Sequence, residues 1–103
     1  MAKMVVIYKH PPDPEAFEKH YFRVHIPLAK KLPGLRRYEV SQGPVVSRRG
    51  EAGAYLIGTL HFDDMVALES AFASPEGEAC RLDVANYARP EDVQMFLFDD
   101  RPA

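Results

Sequence analysis

The stretch Phe17 to Leu28, FEKHYFRVHIPL, holds the side chains best placed for chemistry. Phe17, Tyr21, Val24 and Leu28 recur at helical spacing, so an amphipathic helix gathers them into one apolar stripe with His25 at its edge. Pro27 has no amide proton to donate and disfavours helical geometry at Ile26. The helix is therefore expected to kink or loosen where the imidazole projects. A histidine with an ordinary pKa of about 6.5 can carry a proton to or from a small carbonyl or enol substrate at neutral pH. The alternative is an imidazole whose two nitrogens are satisfied by backbone groups beside the kink.

Two further residues fit the same chemistry. Tyr21 lies one turn before His25, so its hydroxyl could orient the imidazole or polarise a substrate oxygen, or else simply reach water. Asp83 falls among apolar residues of a later helix and could accept a hydrogen bond from His25, fixing its tautomer. The alternative for Asp83 is a helix-capping charge or a surface charge beside Arg81. The catalytic candidates are thus His25, Tyr21 and Asp83. A metal centre is not expected. His20 and His25 are the closest pair among His10, His20, His25 and His61. On a regular helix they point about 140° apart, at about 100° per residue. The lone Cys80 has no partner spacing for a disulfide or a metal and reads as a small buried hydrophobe.

These side chains need a frame. Met4 to Lys9 is a short apolar run that reads as the first strand. Asp13 before Pro14 is an N-cap with proline in the first turn, so the first helix runs from Pro14 to about Lys31, disturbed at Pro27. Leu32-Pro33-Gly34 stops it. Leu35 to Gln42 is the second strand, Ser47 to Gly53 a polar hairpin tip, and Tyr55 to Phe62 the third strand. On that strand Tyr55, Ile57, Thr59 and His61 share one side, and Leu56, Gly58, Leu60 and Phe62 the other. Which side meets the helices is left open. Asp63 caps a second helix, Asp64 to Ala73, with Met65, Leu68 and Phe72 facing inward. Ser74-Pro75-Glu76 starts a third that runs to about Asn86. Asp92 to Phe98 is the last strand, and the tail DDRPA is expected to fray.

The order is that of an α+β ferredoxin-like fold, βαββαβ, with one antiparallel sheet and helices on one face. Both sheet faces read as apolar, and the helices cover only one, so a second copy of the chain is expected on the other. A cavity between helices and sheet would be walled by Val6 or Ile7, Phe17, Leu68 and Phe72, and would suit a modest hydrophobic ligand.

With 103 residues, 47% of them hydrophobic, the chain is one domain, residues 1–103. The net charge of −2 gives no pull toward nucleic acid or anionic membranes. No stretch approaches the roughly 20 apolar residues of a membrane span. A reducing, cytoplasmic setting is expected from the single cysteine and the short apolar run near the N-terminus.

Along Met4 to Phe98 the chain resembles the EthD family of dimeric α/β-barrel proteins. The resemblance rests on FEKHYFRVHIPLAKKLPGLRRYEV, whose HIPL at His25 to Leu28 matches the family's H-x-P-L. It rests also on FDDMVALESAFASPEGEACRLDVANYA, with SPEG at Ser74 to Gly77, then Asp83 and Tyr87, where phenylalanine is commoner. It implies a homodimer whose sheets pack face to face and a cleft in each subunit. Relatives of that architecture include cofactor-less monooxygenases, muconolactone isomerases and polyketide cyclases, and the family takes its name from an ether-degradation gene cluster. Family members are often labelled reductases, yet no G-x-G-x-x-G fingerprint and no flavin or haem signal is present, so no cofactor is expected. The expected function is binding of a hydrophobic oxygenated small molecule, with isomerisation, cyclisation or dehydration by acid-base catalysis. The alternatives are a non-catalytic carrier of a reactive intermediate and a cofactor-less monooxygenase.

Overall fold

Four antiparallel strands form one sheet in the order β2-β3-β1-β4: β1 is Ala2–Tyr8, β2 Arg37–Val40, β3 Leu56–Phe62 and β4 Val93–Asp99. This computed structural model describes residues 1–51 and 53–103, so Ala52 of the expected Ser47 to Gly53 tip lies outside the described residues. The two central strands, β1 and β3, pair along their full length from Ala2 opposite Phe62 to Tyr8 opposite Leu56. β4 pairs with the other edge of β1, and β2 with β3. Each strand lies within two or three residues of its expected range. Strand β2 is the shortest, and Gly43, with φ near +73°, and Pro44 lie just beyond its end.

The period of two decides the face left open by the sequence. Ala2, Met4, Val6 and Tyr8 of β1 are buried, as are Leu56, Gly58, Leu60 and Phe62 of β3. These residues meet the helices. Lys3, Val5, Ile7, Ile57, Thr59 and His61 point to the opposite, uncovered face. Phe62 and Leu68 are fully buried, and each contributes about 1.5–3 kcal/mol relative to exposure.

Side-chain caps start the helices. Asp13 accepts from the amide of Ala16 at 3.1 Å at the start of α1, Pro14–His20. Asp64, not Asp63, caps α3, Met65–Ala73, accepting from Ala67 at 2.7 Å. Asp63 is instead paired with Arg36. Ser74 caps α4, Pro75–Asp83, accepting from Gly77 at 3.1 Å, and one turn of 3₁₀ helix, Val84–Asn86, extends it. Helices α3 and α4 meet at a tight corner. A Cβ on Gly77 would stand 2.4 Å from the carbonyl oxygen of Ala71 and 2.5 Å from the Cα of Phe72.

The first helix departs from expectation in an informative way. Ile26 is fully helical, at φ −59° and ψ −46°, and Pro27 sits inside a short helix α2, Ile26–Ala29. The irregularity falls before the proline, as a π-helical turn over Tyr21–His25 in which the amide of Ile26 donates to the carbonyl of Tyr21. A proline ring collides with the carbonyl four residues back in a regular helix, here that of Arg23. A wider turn ahead of it moves that carbonyl aside. The extra residue shifts the buried stripe by one position. Phe17 and Tyr21 are buried as expected, but Val24 is 41% exposed. His25, Ala29 and Leu32 take the inward positions instead.

The tail is less frayed than expected: Asp99 closes β4, and Asp100 pairs with the N-terminal ammonium and Lys3. Among the described residues no helix is long and apolar enough to cross a membrane.

Candidate functional site

The π-helical turn brings His20 and His25 to the same carboxylate. Nε2 of His20 lies 2.9 Å from Oδ1 of Asp83, and Nδ1 of His25 lies 2.9 Å from Oδ2. The amide nitrogen of Asn86 donates to Oδ1 at 3.0 Å. The divergence of about 140° computed from a regular helix therefore does not hold here. One residue added to the turn makes positions five apart neighbours. Asp83 is buried in the last turn of α4, where its carboxylate takes up these donors. Among the described residues no group of side chains is arranged to hold a metal ion.

This arrangement sets the protonation state of His25. An ionised carboxylate only accepts, so Nδ1 of His25 carries the proton and donates it to Asp83. Nε2 is left with its lone pair. Among the described residues Nε2 makes no hydrogen bond, and no fully buried side-chain nitrogen or oxygen lacks a partner. Nε2 must therefore keep access to open space. That space is a cavity of about 240 Å³ between sheet and helices, lined by His25 together with Met4, Val6, Leu60, Ala29 and Leu32.

Burial lowers the pKa of His25 below its ordinary value, against the pull of Asp83. A neutral ring able to accept a proton is thus the resting form at neutral pH. Burial pushes the Asp83 carboxyl up, but the hydrogen bonds from Asn86, His20 and His25 outweigh it and hold the group below its usual range.

Tyr21 stands behind the cavity. Its ring stacks on His25 with centroids 5.7 Å apart, and its hydroxyl meets that of Tyr38 at 2.6 Å. Tyr38 of β2, which carries no signal of a site role in the sequence, lines the cavity. So do Tyr8, whose hydroxyl is 2.7 Å from that of Tyr87, and Cys80. Of the expected walls, Val6 and Phe72 line the cavity, while Ile7, Phe17 and Leu68 do not. His20, Tyr38 and Tyr87 complete the cluster; an H-x-x-x-x-H spacing followed by proline is the one signal that could have pointed to His20. Four larger hollows, of about 260, 400, 420 and 750 Å³, lie elsewhere among the described residues, and none is lined by His25 or Asp83. The 240 Å³ cavity is the one that sets His25 against an apolar wall.

Residues 9–91, which carry the π-helical turn, both histidines and Asp83, match the EthD domain. The chain belongs to the EthD domain family. A curated relative, an uncharacterized 11.0 kDa protein in the thcB-thcC intergenic region of Rhodococcus erythropolis, is 38% identical over 97% of this chain and 96% of its own length. The crystal structure of an EthD family protein from Bacillus halodurans C-125 superposes with a TM-score of 0.88 at 34% identity, covering 98% of this chain and 99% of that one. A dimeric ferredoxin-like protein of unknown function from Jannaschia sp. CCS1 shares the fold at 16% identity, with a TM-score of 0.67 over 97% of this chain and 100% of that one. The EthD match and the sheet order agree on a ferredoxin-like frame with helices on one side.

Proposed function

We propose that this EthD-family protein is a homodimer that binds a small, hydrophobic, oxygenated molecule beneath its helices and moves a proton on it through His25. The observation that carries this reading is the pairing of Nδ1 of His25 with Asp83 while Nε2 opens on an apolar cavity. Asp83 holds the imidazole in the tautomer that can act as a base and stabilises the imidazolium formed when it does. The cavity is smaller than the roughly 300–1,000 Å³ typical of drug-sized sites, which favours a compact ligand. Isomerisation, cyclisation and dehydration each need a proton taken from one atom and returned to another, and one poised imidazole serves all three.

The test is deuterium exchange at the acidic C–H of a probe 1,3-diketone in heavy water, followed by NMR. The parent protein is expected to accelerate exchange. His25→Ala is expected to lose on the order of 10²–10⁴-fold of that acceleration, with diketone affinity nearly unchanged. If His25→Ala exchanges as fast as the parent, the site assignment is wrong. A probe that binds and never exchanges would instead favour a carrier. Dioxygen consumption coupled to product would favour an oxygenase.

A further inference from the structure

We propose that Tyr38 donates the hydrogen bond that receives the ligand's oxygen, and that the ligand class is a compact ketone with an acidic C–H beside its carbonyl, held as its enolate. This rests on the reading of His25 as the proton carrier and adds the oxygen-binding pole that such chemistry requires. Taking a proton from carbon breaks the C–H bond and shifts its electron pair into a C=C bond. The carbonyl pair moves onto oxygen, and the proton goes to Nε2 of His25. Without a donor at that oxygen the new charge would be stranded against apolar walls. The proton then returns from Nε2 to the same or a conjugated carbon, and nothing is oxidised or reduced.

The burial of the tyrosine pair gives Tyr38 a free proton. Tyr21 is fully buried; its hydroxyl meets that of Tyr38 at 2.6 Å, while its other neighbour, the Tyr8 hydroxyl, is paired with Tyr87 at 2.7 Å. A buried hydroxyl proton needs an acceptor, and Tyr38 is the close one; their bond raises the Tyr21 hydroxyl and lowers that of Tyr38, as when Tyr21 donates and Tyr38 accepts. Tyr38 is half-buried at the cavity wall, and its own proton remains for whatever occupies the cavity. The Tyr8–Tyr87 pair is not fixed in this way, because Tyr87 is half-buried and also borders the 420 Å³ hollow. Burial pushes the Tyr38 hydroxyl up to about 12, against the bond from Tyr21, so it stays protonated and able to donate at neutral pH. Gly58 makes the arrangement fit. A Cβ there would stand 3.0 Å from the Tyr21 hydroxyl and 3.6 Å from Cε1 of Tyr38.

The probe is 4-nitrophenolate, a flat anion whose charged oxygen mimics an enolate, with nitrobenzene as the same ring lacking that oxygen. Both are titrated at mildly alkaline pH against the parent, Tyr38→Phe, Tyr21→Phe and His25→Ala. Tyr38→Phe is expected to weaken 4-nitrophenolate about 10–100-fold, the worth of a hydrogen bond to a charged group, with nitrobenzene affinity within about twofold. Tyr21→Phe, which removes only a positioning residue, is expected to cost less and to shift the visible band of bound nitrophenolate. His25→Ala is expected to keep the preference for the phenolate. Equal losses of both ligands in Tyr38→Phe would assign Tyr38 a structural role and overturn the proposal. So would unchanged phenolate binding. If the Tyr38 discrimination holds while the diketone never exchanges, oxygen recognition stands and proton transfer by His25 falls. If neither ring binds the parent, both readings fall.

Discussion

Asp83 is the residue on which the site's chemistry turns, because two donors meet its Oδ1 and one meets its Oδ2. In Asp83→Asn the amide oxygen is expected to settle where His20 and Asn86 donate. The amide NH₂ then faces Nδ1 of His25 and moves the imidazole proton to Nε2, the nitrogen that should be free. Diketone exchange should fall by on the order of 10²–10⁴-fold with binding retained. Exchange unchanged in this variant would remove Asp83 from the mechanism. The pH dependence follows from the same burial. The folded-state pKa of His25 lies below its unfolded value of about 6.5. Between the two, the unfolded chain holds more protons, so stability is retained above about pH 6.5 and lost as pH falls through that window. Asp83, also lowered, adds a second loss below about pH 3.9. Urea midpoints measured from pH 7.5 downward should decline on the acid side, less steeply in His25→Gln, while exchange activity should fall only at the lower end of that window, where His25 of the folded protein takes up a proton. His25 and Asp83 were legible as candidates from their residue types and neighbours. His20 and Tyr38 were not: one needed a turn of unusual width, the other a pairing of β2 with β3 that sets Tyr38 opposite Leu60 and diagonal to Gly58, which no local spacing reveals.

The elements were more legible than the contacts between them. N-caps followed by proline mark α1 and α4, and the period of two in β1 and β3 separates their faces, because these signals are local. What the sequence does not display is phase. A helical wheel places Val24 inward and His25 at the margin, whereas the π-helical turn ahead of Pro27 reverses them. Close approaches are equally hidden. Gly77 reads as an ordinary residue of a cap motif, yet it lies against the backbone of α3. Gly77→Ala has no flexible side chain to push aside, so a loss of about 3 kcal/mol is expected from overpacking, read as a fall in the urea midpoint. Alanine in a helix interior otherwise gains about 1 kcal/mol over glycine. A neutral or stabilising result would show that the α3–α4 corner opens freely.

At the scale of the whole molecule, one sheet face has helices and the other has none. On the uncovered face Phe96 is 50% exposed and Phe98 42%, and both lie in register with Val5 and Lys3 of β1. Ile7 and Ile57 continue that surface across the central pair. The same face carries polar contacts that a partner could share: Glu39 accepts from Nε2 of His61 at 2.8 Å, and Arg37 pairs with Glu39 at 2.8 Å. A run of aromatic and β-branched side chains of this kind marks an interface more readily than a solvated surface. The packing of two copies face to face would cover it symmetrically. Each phenylalanine could bury about 150–250 Å², so one charge placed there should matter. Phe96→Asp is expected to convert a dimer seen by sedimentation at micromolar concentration into monomer. Met95 and Leu97 on the opposite side of the same strand line the cavity. The monomeric variant should therefore also bind nitrobenzene more weakly, because the proposed ligand wall belongs to a strand that a partner on this face would steady. A parent protein that sediments as a monomer at all concentrations would end the dimer proposal. A Phe96→Asp monomer with full affinity would show that each subunit builds its cavity alone.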